Sequence, residues 1–172
     1  MFSHQTKIYT PDGFAKIRNL KIGHEIISMT DSGKMISSQI SEIQKVYVVK
    51  EGLLCLRFDH MKKPVYCSVD QEFFYINGSV VSAEKLEIGD ELKGLHHQTL
   101  RLNTKERIEN QETLNKFHQE GDDYVLYNIR IANDETIFFV NIGLMAKAVS
   151  YKPAEVYVDT SGNAYASYME NR

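Results

Sequence analysis

Leu20-Lys21-Ile22-Gly23-His24-Glu25-Ile26 returns later in the chain as Leu86-Glu87-Ile88-Gly89-Asp90-Glu91-Leu92. The shift is the same at every position, 66 residues, from 20 to 86 and from 23 to 89. Each copy follows a turn containing glycine, Gly13 before the first and Gly78 before the second, and each leads into a β-prone run. A Leu-x-Ile-Gly unit is expected to turn both apolar side chains inward. Its glycine then takes the positive φ, or the close approach, that lets the chain enter the next strand. Two such units far apart predict a pseudo-twofold β architecture made of two similar halves.

The sequence around the repeat agrees. Lys7-Ile8-Tyr9-Thr10 runs into the turn Pro11-Asp12-Gly13, and Glu25 to Met29 reaches a second turn at Thr30-Asp31-Ser32-Gly33-Lys34. Ile36, Ile40, Ile43, Val46 and Val48 continue the apolar positions, and 53–58 and 65–69 are strand-like. Glu72 to Ile76 meets Asn77-Gly78, a strong hairpin signal, and 124–131 and 136–140 flank Ala132-Asn133-Asp134-Glu135. Short strands with closely spaced turns predict an all-β fold. Residues 98–121 are polar and charged, with Leu100, Ile108, Leu114 and Phe117 fitting a helical face only loosely. They read as an inserted, partly helical connection, solvated and ended by Gly121.

A chain of 172 residues suits one domain. Folded, it buries roughly 70% of its unfolded surface, so it needs no disulfide or metal staple. A net charge of −3, with no run of Lys or Arg, argues against a nucleic-acid binder held by phosphate electrostatics. No apolar stretch approaches the ~20 residues of a membrane span, and the start lacks signal-peptide regions. The chain therefore reads as soluble and cytoplasmic, though it could be one part of a larger natural product. Cys55 and Cys67 fit no metal signature; they read as reduced thiols, with a bridge open to them if they lie on adjacent strands. His96-His97, taken with His24 or His60, have no metal-ligand spacing and read as exposed loop histidines. No cofactor or metal is expected.

Several blocks, in order, resemble the Hint superfamily of hedgehog and intein domains. Met1-Phe2-Ser3-His4-Gln5-Thr6-Lys7-Ile8, then Thr10-Pro11-Asp12-Gly13 and Leu20-x-Ile22-Gly23, is similar to that family's opening. Ser68-Val69-Asp70-Gln71 before Glu72-Phe73-Phe74-Tyr75 resembles its Thr-x-x-His block, and Phe138-Phe139-Val140-Asn141-Ile142-Gly143-Leu144-Met145 its terminal block. The resemblance covers about 1–148. It implies a Hint domain over that span, with 98–121 inserted and 149–172 an extension that forms a hairpin or a tail.

The resemblance also implies where chemistry would sit. Autoprocessing needs a thiol or hydroxyl at the first position to attack the preceding carbonyl, and here a thioether, Met1, stands there. Ser3 is the nearest hydroxyl but is out of register. The Thr-x-x-His pair, which polarises and protonates the scissile amide, is Ser68 and Gln71 here; glutamine hydrogen-bonds but transfers no proton near neutral pH. Asp70, one residue along the strand, points to the other face. The terminal His-Asn corresponds to Ala146 and Lys147, followed by Ala148 where a second nucleophile would stand. Lysine has no amide to cyclise.

Three readings follow. The first is a catalytically inactive Hint-like domain acting as a binding or structural module, its partner another protein recruited by strand addition. The second is an autoprocessing domain in which Met1 replaces a cysteine. The third is an unrelated β-barrel that binds a small molecule.

Overall fold

The computed structural model describes residues 1–148 and, beyond them, the backbone strands at 156–158 and 164–167. Chain order begins with β1 (Lys7–Thr10), β2 (Gly13–Lys16), β3 (Glu25–Met29), β4 (Met35–Val48), β5 (Leu53–Phe58), β6 (Val65–Ser68), β7 (Glu72–Phe74) and β8 (Val80–Ser82). It continues through β9 (Glu91–Lys93), β10 (Thr99–Arg107), the single-turn helix α1 (Gln111–Leu114), β11 (His118–Glu120), β12 (Asp123–Ile131), β13 (Ile137–Val140) and β14 (Leu144–Lys147). The last two strands are β15 (Val156–Val158) and β16 (Ala164–Ser167).

The 66-residue repeat is visible as geometry. Each copy follows a 3-10 turn, at Ile17–Asn19 and at Ala83–Lys85, and its glycine takes a positive φ, +90° at Gly23 and +94° at Gly89. The same backbone bonds recur. Gly23 N donates to Ile40 O as Gly89 N donates to Leu102 O, both at 2.8 Å, and the returning bonds to His24 O and Asp90 O are both 2.9 Å. Even the side-chain cap repeats: Lys21 N donates to His24 Nδ1 at 3.1 Å, and Glu87 N to Asp90 Oδ2 at 2.8 Å. One part of the expectation is corrected. Leu20 and Leu86 are buried, but Ile22 and Ile88 are 58% and 69% exposed, because each sits on the turn itself, one residue before the glycine.

The halves exchange their long arms. β4 pairs with its own neighbour β3 and with β12 of the second half; β10 pairs with its own neighbour β9 and with β5 of the first. A third sheet, β2-β1-β13-β14-β7-β8, joins the two hairpins through the β13–β14 pair. All these pairings are antiparallel; only β16 runs parallel, beside β4. β15 and β16 pair as a hairpin, while 149–155, with Tyr151-Lys152-Pro153, and the Ser161-Gly162-Asn163 turn lie outside the described residues.

Segment 98–121 carries the expected helix turn, capped by the Asn110 side chain accepting from Glu112 N at 2.8 Å. It is otherwise strand rather than solvated linker. Leu100 and Leu102 are fully buried and alternate with exposed Thr99, Arg101 and Asn103, a period of two that the surrounding charge obscures. Ile108, Leu114 and Phe117 enter an apolar cluster with Val46, Val48, Leu53 and Leu126. The larger core holds Phe2, Ile8, Leu54, Phe73, Phe138 and Val140. Cys55 and Cys67 do lie on adjacent strands, but Cys55 faces Tyr66 and Cys67 faces Leu54 in register, so the thiols belong to different clusters and stay free.

Gly143 marks where the sheets press together. It has φ +113°, and a Cβ there would lie 2.9–3.0 Å from three atoms of Leu95. Gly143→Ala is expected to cost about 2–4 kcal/mol, backbone strain plus overpacking, read as a fall in the urea midpoint. Gly121→Ala, also at positive φ but with open space around it, should cost only about 1 kcal/mol. Equal effects at the two positions would overturn the packing argument.

Candidate functional site

The first two residues form no named strand, yet they are threaded between two. Phe2 N donates to Tyr127 O at 3.0 Å and receives the return bond from Tyr127 N at 2.8 Å, while its other edge bridges Cys67. Ser68 N donates to Met1 O at 2.9 Å, and Ser3 N to Tyr66 O at 3.1 Å. The Phe2 ring sits edge-on to Phe73 and Phe138, with centroids 6.1 and 5.9 Å away. This anchoring fixes residue 1 at the end of β6.

Met1 is fully buried. Its nitrogen donates to Ser68 Oγ at 3.3 Å and to Gln71 Oε1. Gln71, also fully buried, donates from Nε2 to Glu72 O and to Lys147 O, both at 2.9 Å. One glutamine amide therefore ties the nitrogen of residue 1 to the backbone of residue 147. Ala146 lies next to this link, opposite Phe73 across β14 and β7, fully buried in the main core. Positions 1, 68, 71 and 147 are thus joined by hydrogen bonds, with Ala146 the neighbour of 147 in β14.

The Met1 side chain points the other way, into the cluster with Val46, Leu53, Ile108, Leu114 and Phe117. The supposed connection at 98–121 therefore supplies the cover over residue 1, and the Phe117 ring packs edge-on to Tyr66 and Tyr124. That role was missed in the sequence; the alternation at 99–103 and the Leu114/Phe117 spacing were its signals. Ser3 is buried and shares a hydrogen bond with Thr6 at 3.3 Å, away from the Met1 nitrogen's partners. His96 and His97 lie in an exposed turn far along the chain from these positions.

The electrostatics of the site follow from burial. Desolvation pulls the Met1 ammonium down from 8.0 to about 6, with Asp70 and Cys67 partly opposing. The same desolvation pushes the Cys67 thiol up to about 12, so it is not a thiolate near neutral pH. Asp70 Oδ1 is buried without a hydrogen-bond partner among the described residues. No group of three or more His, Cys, Asp or Glu side chains that could hold a metal ion occurs among them either.

For a chain with a free amine at Met1, the sign of the pH effect is set by proton counts. Between about 6 and 8 the unfolded chain binds the proton and the folded chain does not, so stability rises with pH across that window. The rise is about 2–3 kcal/mol, and it flattens above. His4, held below its usual value by burial and then by Arg18, adds a rise of the same sign below the ordinary imidazole range. Urea midpoints from pH 5 to 9 measure the total. An NMR titration of the labelled Met1 amine should turn over near 6, and a midpoint near 8 would refute its burial.

No protein-family model and no curated protein sequence matches the chain. Solved structures do. A bacterial intein-like domain from Clostridium thermocellum superposes with a TM-score of 0.69 at 19% identity, covering 86% of this chain and 97% of that one. A DnaB intein from Synechocystis gives 0.63 at 12% identity, with 86% and 97% covered. The gp41-1 intein gives 0.61 at 16% identity over the same shares. With the repeat, the exchanged arms and these superpositions together, an unrelated ligand-binding barrel is set aside: the chain has the Hint-type, intein-like fold.

Proposed function

We propose that this domain keeps the geometry of a self-processing Hint domain without its chemistry, and serves as a binding or structural module. The observation that carries the reading is the seating of Met1. Its nitrogen meets Ser68 and Gln71 where a scissile amide would be polarised, but its side chain is a thioether packed into an apolar cluster. A thioether has no proton to lose and forms no acyl intermediate. Both hydrogens of the Gln71 amide are already committed, to Glu72 O and Lys147 O, and the group transfers no proton. Ala146 has no group for proton transfer, and Lys147 has no amide to cyclise. As a module, the domain has β2 and β8 at the two ends of one sheet, with Phe14 and Val80 about 40% exposed, where an extended segment of another protein could add.

The test is a fusion with reporter proteins at both ends, followed by intact mass. The expected outcome is a single unprocessed product; any self-generated fragment sinks the proposal.

One observation favours a second reading, an autoprocessing domain whose cysteine Met1 replaces: the hydrogen-bond frame around position 1 is assembled and buried. The two readings predict different outcomes. With a peptide fused upstream, the first expects at most trace thiol-induced cleavage from Met1→Cys alone, and a rate at least 10²-fold above that trace when Gln71→His is added, the lower range for general acid help. Rapid cleavage by Met1→Cys alone would favour the second reading over the first.

A further inference from the structure

On the far side of β14 from the Met1 site lies a groove of about 550 Å³. Three of the chain's six methionines line it: Met29, Met35 and Met145. Met29 and Met35 are direct cross-strand partners on β3 and β4, and both pack against a small apolar cluster of Leu95, Phe139 and Met145, separate from the two main ones. Met145 neighbours Ala146 in sequence, but strand alternation sends the two side chains to opposite faces, so Met145 belongs to the groove and not to the Met1 site.

His96 and His97 form the groove's other wall. They sit in consecutive left-handed conformations, φ +54° and +59°. A single left-handed residue that is not glycine is uncommon, and a pair is a costly turn. The other such pair among the described residues, Asn133 and Asp134, uses residue types whose side chains bond locally in turns. At 96–97 the same backbone places two histidines on the lining of the groove that the three methionines share. The turn is pinned rather than loose: Leu95 N donates to Gly143 O at 2.8 Å, and Gly94 N to Gln98 O at 2.7 Å.

The donor chemistry selects among ligands. Among the described residues no carboxylate or thiol lines the groove, and its one charged group is Lys93. Calcium, magnesium and other hard divalent ions would find neither oxygen anions nor charge compensation there. Thioether and neutral imidazole are soft or borderline donors that need no charge to bind a soft monovalent ion. We propose that the groove formed by Met29, Met35, Met145, His96 and His97 is a binding site for Cu(I). This site is independent of whether the domain processes itself. The competing explanation is packing alone, since methionine also fills irregular apolar gaps.

The two explanations separate experimentally. Untagged protein, kept reduced and free of oxygen, is titrated against a coloured Cu(I) chelator; one equivalent of Cu(I) should pass to the protein. Replacing all three sulphur donors in Met29→Leu/Met35→Leu/Met145→Leu keeps volume and apolarity, and His96→Asn/His97→Asn keeps a residue that tolerates the left-handed turn. Each variant should lose at least tenfold in Cu(I) affinity. In protein labelled at the methionine methyl carbons, stoichiometric Ag(I), a redox-inert stand-in, should shift the Met29, Met35 and Met145 signals and leave Met1 and Met61 in place. Undiminished Cu(I) binding by the triple-leucine variant, or unmoved groove methyls in the wild-type chain, overturns the proposal; the methyl experiment stands even if a variant fails to fold.

Discussion

The backbone of Phe2, held between Tyr127 on one side and Cys67 on the other, is the constraint on which the site depends. A two-residue segment would not hold a position alone. It is fixed here because both of its edges are paired and its ring fills the core between Phe73 and Phe138. With Phe2 fixed, residue 1 has nowhere to go but the end of β6, where its carbonyl accepts from Ser68 N and its nitrogen meets Ser68 and Gln71. Position 1 is thus specified by hydrophobic burial and ladder bonds that involve none of its own chemistry.

The repeat made the fold legible. Its leucines, glycines and capping polar residues recur because two turns of the same shape need the same hydrogen bonds, and those bonds are present twice at nearly equal lengths. What could not be read was which positions of the repeat face inward, since an isoleucine just before a tight glycine is carried outward by the turn. The strand at 99–107 was hidden for a different reason. Its charged residues, Arg101 and the run Lys105-Glu106-Arg107, gave it a linker's composition, while the alternation of Leu100 and Leu102 argued for a strand. Taken seriously, the repeat would have placed it, since β4 follows the first copy just as β10 follows the second.

The candidate site was legible as a set of positions and illegible as an arrangement. Ser68, Gln71, Ala146 and Lys147 could be aligned to a family pattern, but only the structure shows a single amide bridging residues 1 and 147. A buried glutamine can serve that bridging role because it carries donor and acceptor on one planar group and never ionises. In the same dry place a charge would be penalised, as the depressed Met1 amine is. Gln71 thus spans the site with hydrogen bonds alone and brings no charge into it.

The exchange of arms between the halves also has a kinetic meaning. β4 cannot complete its pairing until β12 exists, β5 waits for β10, and Ile8 of β1 pairs with Val140 near the far end of the described chain. Neither half can bury its apolar faces by itself, so local hairpins form early but gain little until distant segments arrive. Such a topology has a high contact order, and its folding belongs with the slow, millisecond-to-second class of all-β proteins rather than the fast helical ones. During that wait the unpaired arms are open strand edges, and the protein is most exposed to aggregation before its two ends have met.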